Sequence, residues 1–140
     1  VDASTDALAV ARGNAQRLGL PVVFSQGSWL TGHSGTGATY ALIASNPPYI
    51  PQHDPHLAAL MHEPLQALAA GADGLDDIRA IVSQAPAHLD PGGWLLLEHG
   101  YDQAAAVRAL LQAQGFTQVQ SRRDMAGIER CSGGQWPTVK

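Results

Sequence analysis

The sequence carries a single cysteine, Cys131, so no internal disulfide is open to it. Nothing beside Cys131 has zinc-ligand spacing. A lone thiol of this kind points to a reducing compartment, the cytoplasm, where it reads as a small apolar strand residue. Cations are also scarce: eight Lys and Arg stand against twelve Asp and Glu, for a net charge of −4. They are scattered apart from the pair Arg122-Arg123, which speaks against a polyanion-binding surface and so against direct contact with nucleic acid. No apolar run approaches the ~20 residues of a membrane span, and the first residues lack the charged and apolar regions of a signal peptide. No membrane partner is expected. What is present is 45% hydrophobic residues over 140 positions, enough for the core of one domain.

The pattern alternates. Val1-Asp2 reads as the end of a strand, followed by a helix capped by Ser4 or Thr5, with Leu8, Ala11, Ala15 and Leu18 at helical spacing and Gly19 as the stop. Pro21 opens "VVF", expected as a second strand ending before Gly27. The stretch "GSWLTGHSGTGATY" holds Gly32, Gly35 and Gly37, a loose imitation of a phosphate loop. It leads into the strand "YALIAS" rather than a helix, so it is expected as a plain loop. Pro64 starts a helix through Leu65, Leu68 and Ala69 that Gly71 closes. A longer helix carries the stripe Leu75, Ile78, Ile81, Val82 and Leu89, with Pro86 expected to kink or shorten it. "GGWLLLEHG" reads as a strand buried on both faces, and Ala106, Val107, Leu110 and Leu111 as a helix stopped by Gly115. "FTQVQSRRDMAGIERCSGGQW" predicts two antiparallel strands around a turn at Ala126-Gly127. The whole is a doubly wound α/β sheet.

In such a sheet ligands sit beyond the carboxyl ends of the strands, where Asp2, Asn46 and Glu98 fall. Asp2 can accept both hydroxyls of a ribose or can simply cap the following helix. Asn46 begins "NPPY". Pro47 holds Asn46 extended, and the two prolines remove two backbone donors, leaving a stiff turn rich in acceptors. The turn either only ends a strand, or offers the Asn46 side-chain carbonyl, the Pro47 carbonyl and the Tyr49 ring to a planar NH2 group. Such a nitrogen is a poor nucleophile because its lone pair is delocalised. Two fixed acceptors orient its N–H bonds and gain strength as positive charge develops. His53, Asp54, His56, His62 and Glu63 invite a metal, but a Pro-containing segment lacks fixed ligand spacing, so no metal is expected. Glu98 and His99 read either as an acid/base pair or as structural residues.

"SNPPYI", "EPLQALAAGADGLDDIR", "PGGWLLLEHGYDQ" and "RDMAGIER", in that order and across nearly the whole chain, resemble the HemK/PrmC family of peptide chain release factor glutamine methyltransferases. The resemblance implies a Rossmann-like class I S-adenosylmethionine-dependent methyltransferase sheet, mostly parallel with an antiparallel C-terminal edge pair. It implies methyl transfer to the side-chain amide of the glutamine in the GGQ motif of release factors, which would be the partners. By the same resemblance Asn46, Pro47, Pro48 and Tyr49 hold the glutamine amide, with Asn46, Pro47 and Tyr49 carrying catalysis. Asp2 would bind the ribose, Trp29 would pack near the adenine, and Asn46 would also touch the methyl donor. Ser28 stands where family members usually carry Asp, which bears on one adenine contact.

The glycine-rich first motif, its strand and helix, and the N-terminal release-factor-binding domain are not in the sequence. Residues 1–140 are therefore expected to be the downstream part of a catalytic domain, cut upstream of Val1. In the family the first strand lies between the strand ending at Asp2 and the one ending at Asn46, so a sheet split at that point, marginal or aggregation-prone, is expected. Two alternatives share the motif: a nucleic-acid adenine-amino methyltransferase using the same NPPY chemistry, and a non-catalytic truncated module.

Overall fold

Ser4 has the extended backbone and the short oxygen that a helix start needs. In a computed structural model, which describes residues 1–31, 37–52 and 70–138, its Oγ accepts the Ala7 N–H at 3.2 Å and opens α1 (Thr5–Leu18). Gly19, left-handed at φ 64°, closes the helix. Helix α1 belongs to the first of two units, Val1–Ala38 and Thr39–Lys140. Leu8 and Ala15 are buried as the stripe predicts, whereas Leu18 is exposed. The strand expected at "VVF" does not form. Its stretch carries only a parallel bridge between Asp2 and Gln26, through Asp2 N–H to the Ser25 carbonyl at 3.2 Å and Gly27 N–H to the Asp2 carbonyl at 3.1 Å. Val23 is 91% exposed. Strand propensity is realised by packing against cross-strand neighbours, and among the described residues Val22 and Val23 have none. Phe24 instead lies under the Arg12 guanidinium, 5.9 Å from ring centroid to charge centre.

The second unit contains a four-stranded mixed sheet. Its strands are β1 (Tyr40–Ser45), β2 (Leu89–Glu98), β3 (Thr117–Arg123) and β4 (Glu129–Gln135), in the order β1-β2-β4-β3. β1 and β2 run parallel, and β2/β4 and β4/β3 are antiparallel. The C-terminal pair turns at Met125 to Gly127, as the sequence predicts. Between β1 and β2 comes α2 (Asp76–Gln84), and between β2 and β3 comes α3 (Ala104–Gln114). Pro86 ends α2 at Gln84 and opens a 3-10 turn, Ala85–His88, so Leu89 is the first residue of β2 and not part of the helix stripe. The α3 stripe is also shifted: Ala104, Val107 and Leu111 are buried, Leu110 is half-buried and Ala106 is exposed. The helix expected after Pro64, the glycines Gly32 and Gly35, and the histidine cluster His53, Asp54, His56, His62, Glu63 lie outside the described residues.

Ile78, Leu95, Leu97, Val107 and Leu111 are wholly buried and form the core, each contributing on the order of 1.5–3 kcal/mol of burial. Burial of β2 is uneven. Leu95 and Leu97 are inaccessible while Trp94 and Leu96 are half-buried, so one face is better covered than the expected two-sided burial. Gly133 lets β4 approach β2 closely: a Cβ there would stand 2.6 Å from the Leu95 carbonyl oxygen. Among the described residues β1 pairs only with β2, and Leu42 on β1 is 55% exposed.

Candidate functional site

Ser45 is level with Leu97 in the parallel pair, so β1 and β2 release Asn46 and Glu98 at the same carboxyl edge. Asn46 is exposed, and its side-chain amide makes no hydrogen bond with any described residue. Pro47, by contrast, is wholly buried, and Pro48 and Tyr49 are half-buried. An amide with no partner among the described residues thus sits on an anchored turn. Beyond it, the Ile50 carbonyl accepts the Ala70 N–H and the Gly71 carbonyl accepts the Gln52 N–H, both at 3.0 Å, tying the exit of the turn to the residues before α2.

Two residues that the motif alone does not reveal hold Tyr49. The Gln103 Nε2 donates to the Tyr49 carbonyl at 3.0 Å and to the carbonyls of Asp73 and Gly74 at 3.2 and 3.4 Å. Its Oε1 accepts the Gly100 N–H at 2.7 Å. Arg130 on β4 donates to the Tyr49 hydroxyl at 3.0 Å, with its guanidinium carbon 5.4 Å from the ring centroid. Among the described residues no carboxylate pairs with Arg130. Gly74, at φ 74°, lies so close beneath that a Cβ would fall 2.3 Å from the Tyr49 carbonyl oxygen. The available signal was the Gln in "EHGYDQ" and the Arg in "AGIER", but only the fold brings them to Tyr49.

Glu98 and His99 part company. His99 is wholly buried, its Nδ1 at 2.9 Å from the Gly100 carbonyl, which can only accept, so Nδ1 carries the proton. Nε2 then takes the Ser132 hydroxyl at 2.7 Å, Ser132 takes that of Ser121 at 2.7 Å, and Ser121 accepts from Arg108 at 2.6 Å. Arg108 ends the chain in an ion pair with Glu129 at 3.1 Å. This is a fully satisfied, one-directional structural chain. Glu98 ends β2 opposite Cys131. Burial, and then the Glu98 charge, push the Cys131 thiol up, away from reactive thiolate. Among the described residues no three His, Cys, Asp or Glu side chains gather as for a metal.

The other predicted residues lie in Val1–Ala38. Asp2 is exposed, and its Oδ1 accepts the Ser4 N–H at 2.8 Å, a turn just ahead of the helix that Ser4 itself caps. Its second oxygen has no partner among the described residues. Ser28 is exposed and its carbonyl accepts both the N–H and hydroxyl of Thr31, at 3.1 and 2.7 Å. Trp29 is half-buried in a left-handed conformation at φ 56°, unusual for so bulky a residue.

No family model matches the chain. Curated relatives do: the release factor glutamine methyltransferase of Yersinia pestis is 52% identical over 97% of this chain and 49% of its own length. That of Pseudomonas aeruginosa is 52% identical over 97% of the chain and 50% of its own length. The chain belongs to the release factor glutamine methyltransferase family. It spans about half the length of the curated relatives it matches. A methyltransferase from Pyrococcus furiosus superposes with a TM-score of 0.68 at 18% identity, over 97% of this chain and 60% of that one, which shows the class I methyltransferase fold. In this chain the NPPY turn ends a parallel strand, and the resemblance seen in the sequence is borne out at the level of family and fold. No helix among the described residues is long and apolar enough to cross a membrane.

Proposed function

We propose that the protein carrying this chain transfers a methyl group from S-adenosylmethionine to the side-chain amide nitrogen of a glutamine, that of the GGQ motif in peptide chain release factors, in the cytoplasm. The observation that carries this reading is the Asn46 amide at the end of β1, without a partner among the described residues, on a turn whose neighbour Pro47 is buried and whose Tyr49 is held at both ends. S-adenosylmethionine supplies an electrophilic methyl on a sulfonium. The residues present fit such a group: Asp2 has a carboxylate oxygen without a partner among the described residues, to spare for a ribose hydroxyl, and the half-buried Trp29 would pack near the base.

Asn46 and the Pro47 carbonyl accept the two N–H bonds of the glutamine amide, aim its nitrogen at the methyl, and tighten as charge builds there. The Tyr49 ring lies against the planar amide. The N–C bond would form as the sulfonium's S–CH3 bond breaks and a neutral thioether leaves, and the amide nitrogen then sheds one proton to solvent, so no side chain with a tuned pKa is required. The chain's own Gly133-Gly134-Gln135 is a poor target. Gln135 pairs with Trp94 in the β2/β4 ladder, and its Nε2 donates to the Gly92 carbonyl at 2.9 Å.

The test is methyl transfer by the full-length protein to a release factor and to DNA or RNA side by side. Label in the release factor glutamine supports the reading, and label in nucleic acid alone overturns it in favour of an adenine-amino methyltransferase. The scarcity of cations on the chain supports the first outcome.

A further inference from the structure

The geometry points to Arg130 and Gln103 as positioning residues that clamp Tyr49 from its two ends, so that the ring and backbone of the NPPY turn are fixed before the substrate amide arrives. This rests on the methyl-transfer reading above.

Arg130 reaches Tyr49 from β4, eighty-one positions away, and engages both the hydroxyl oxygen and the ring. A planar guanidinium can do both at once, and Lys cannot. With no carboxylate partner among the described residues, its engagement with Tyr49 is not incidental to an ion pair. Gln103 works on the backbone. It is 7% exposed, sits at the start of α3, and spends its amide on the Tyr49 carbonyl and on the loop before α2, while its own oxygen takes the Gly100 N–H. One side chain therefore ties together the turn after β1, the loop before α2 and the turn after β2. Gly74 admits the Tyr49 carbonyl to this junction where any side chain would collide.

Fixing the turn in advance lowers the cost of ordering it in the transition state, an effect on turnover more than on binding. The experiment is a double-mutant cycle in the full-length protein. We expect Arg130→Met to lower kcat about 10-fold with KM for the methyl donor within about twofold, and Arg130→Lys to recover part of the loss. In a Tyr49→Phe background, Arg130→Met should cost less than about threefold, since the hydroxyl it serves is gone. Equal costs in both backgrounds, or an unchanged kcat, overturn the clamp.

Hydrogen exchange at the Gln52 and Ala70 amides, the two donors that tie the exit of the turn to the residues before α2, gives a second readout that needs no activity. Gln103→Glu keeps the acceptor for Gly100 but loses the donors. Exchange there should accelerate at least about 10-fold with the melting temperature held by the rest of the core, and unchanged exchange overturns the Gln103 half. A wild-type protein without transfer activity would defeat the methyl-transfer reading, whereas exchange would still decide whether Gln103 holds the turn.

Discussion

Among the described residues of Val1–Ala38 only Leu8 and Ala15 are buried, whereas Thr39–Lys140 closes Ile78, Leu95, Leu97, Val107 and Leu111 completely from solvent. Both units carry candidate site residues. Asn46 to Tyr49 rest on a sheet, on two helices and on the contacts of Gln103 and Arg130. Asp2, Ser28 and Trp29 rest on one helix and one bridge. The NPPY turn is thus anchored within the sheet unit, while Asp2, Ser28 and Trp29 have little local support among the described residues.

The contrast can be broken by mutation, most forcefully in the core. Leu97→Ala should cost about 2–5 kcal/mol by denaturant unfolding of the sheet unit, because a wholly buried leucine leaves a cavity. A loss under about 1 kcal/mol would mean that the sheet is no better packed than the first unit. Ser4→Ala removes the cap of α1 and should cost about 1 kcal/mol of helix stability, read by hydrogen exchange within residues 5–18. At Val23, 91% exposed, Val23→Thr should change stability by less than about 0.5 kcal/mol. A larger loss would show that the "VVF" stretch pairs after all.

The smallest effect concerns charge. The Arg79 guanidinium holds the Asp73 carboxyl at about 2, below its usual 3.8, on the loop that Gln103 grips. Since the folded value is the lower one, the associated stabilisation is present above about pH 4 and fades as pH falls through about 2. Both groups are exposed, so the contribution is small. Arg79→Ala should return the Asp73 titration, followed by carboxyl NMR, toward its ordinary value.

Much of this was legible in the sequence, for identifiable reasons. "NPPY" at a strand end, Gly19 and Gly115 as helix stops, and the turn at Gly127 are local chemistry, and the structure keeps each. Propensity misled where a partner decides the outcome: "VVF" reads as a strand but has no neighbouring strand among the described residues. Leu89 continued a helical period that Pro86 had already ended. The holders of Tyr49 were out of reach for another reason. Gln103 and Arg130 lie fifty-four and eighty-one positions from it, and no period or spacing predicts that meeting.

The central claim is that the Asn46 amide orients the substrate nitrogen, and one assay tests it most directly: methylation of a release factor glutamine by the full-length protein and its Asn46→Ala variant. Because Asn46 is exposed, the variant should fold with an unchanged melting temperature. Its turnover should fall by at least ~10²-fold, the usual cost of removing a group that stabilises developing charge. Near-normal turnover in a folded Asn46→Ala protein would contradict the account.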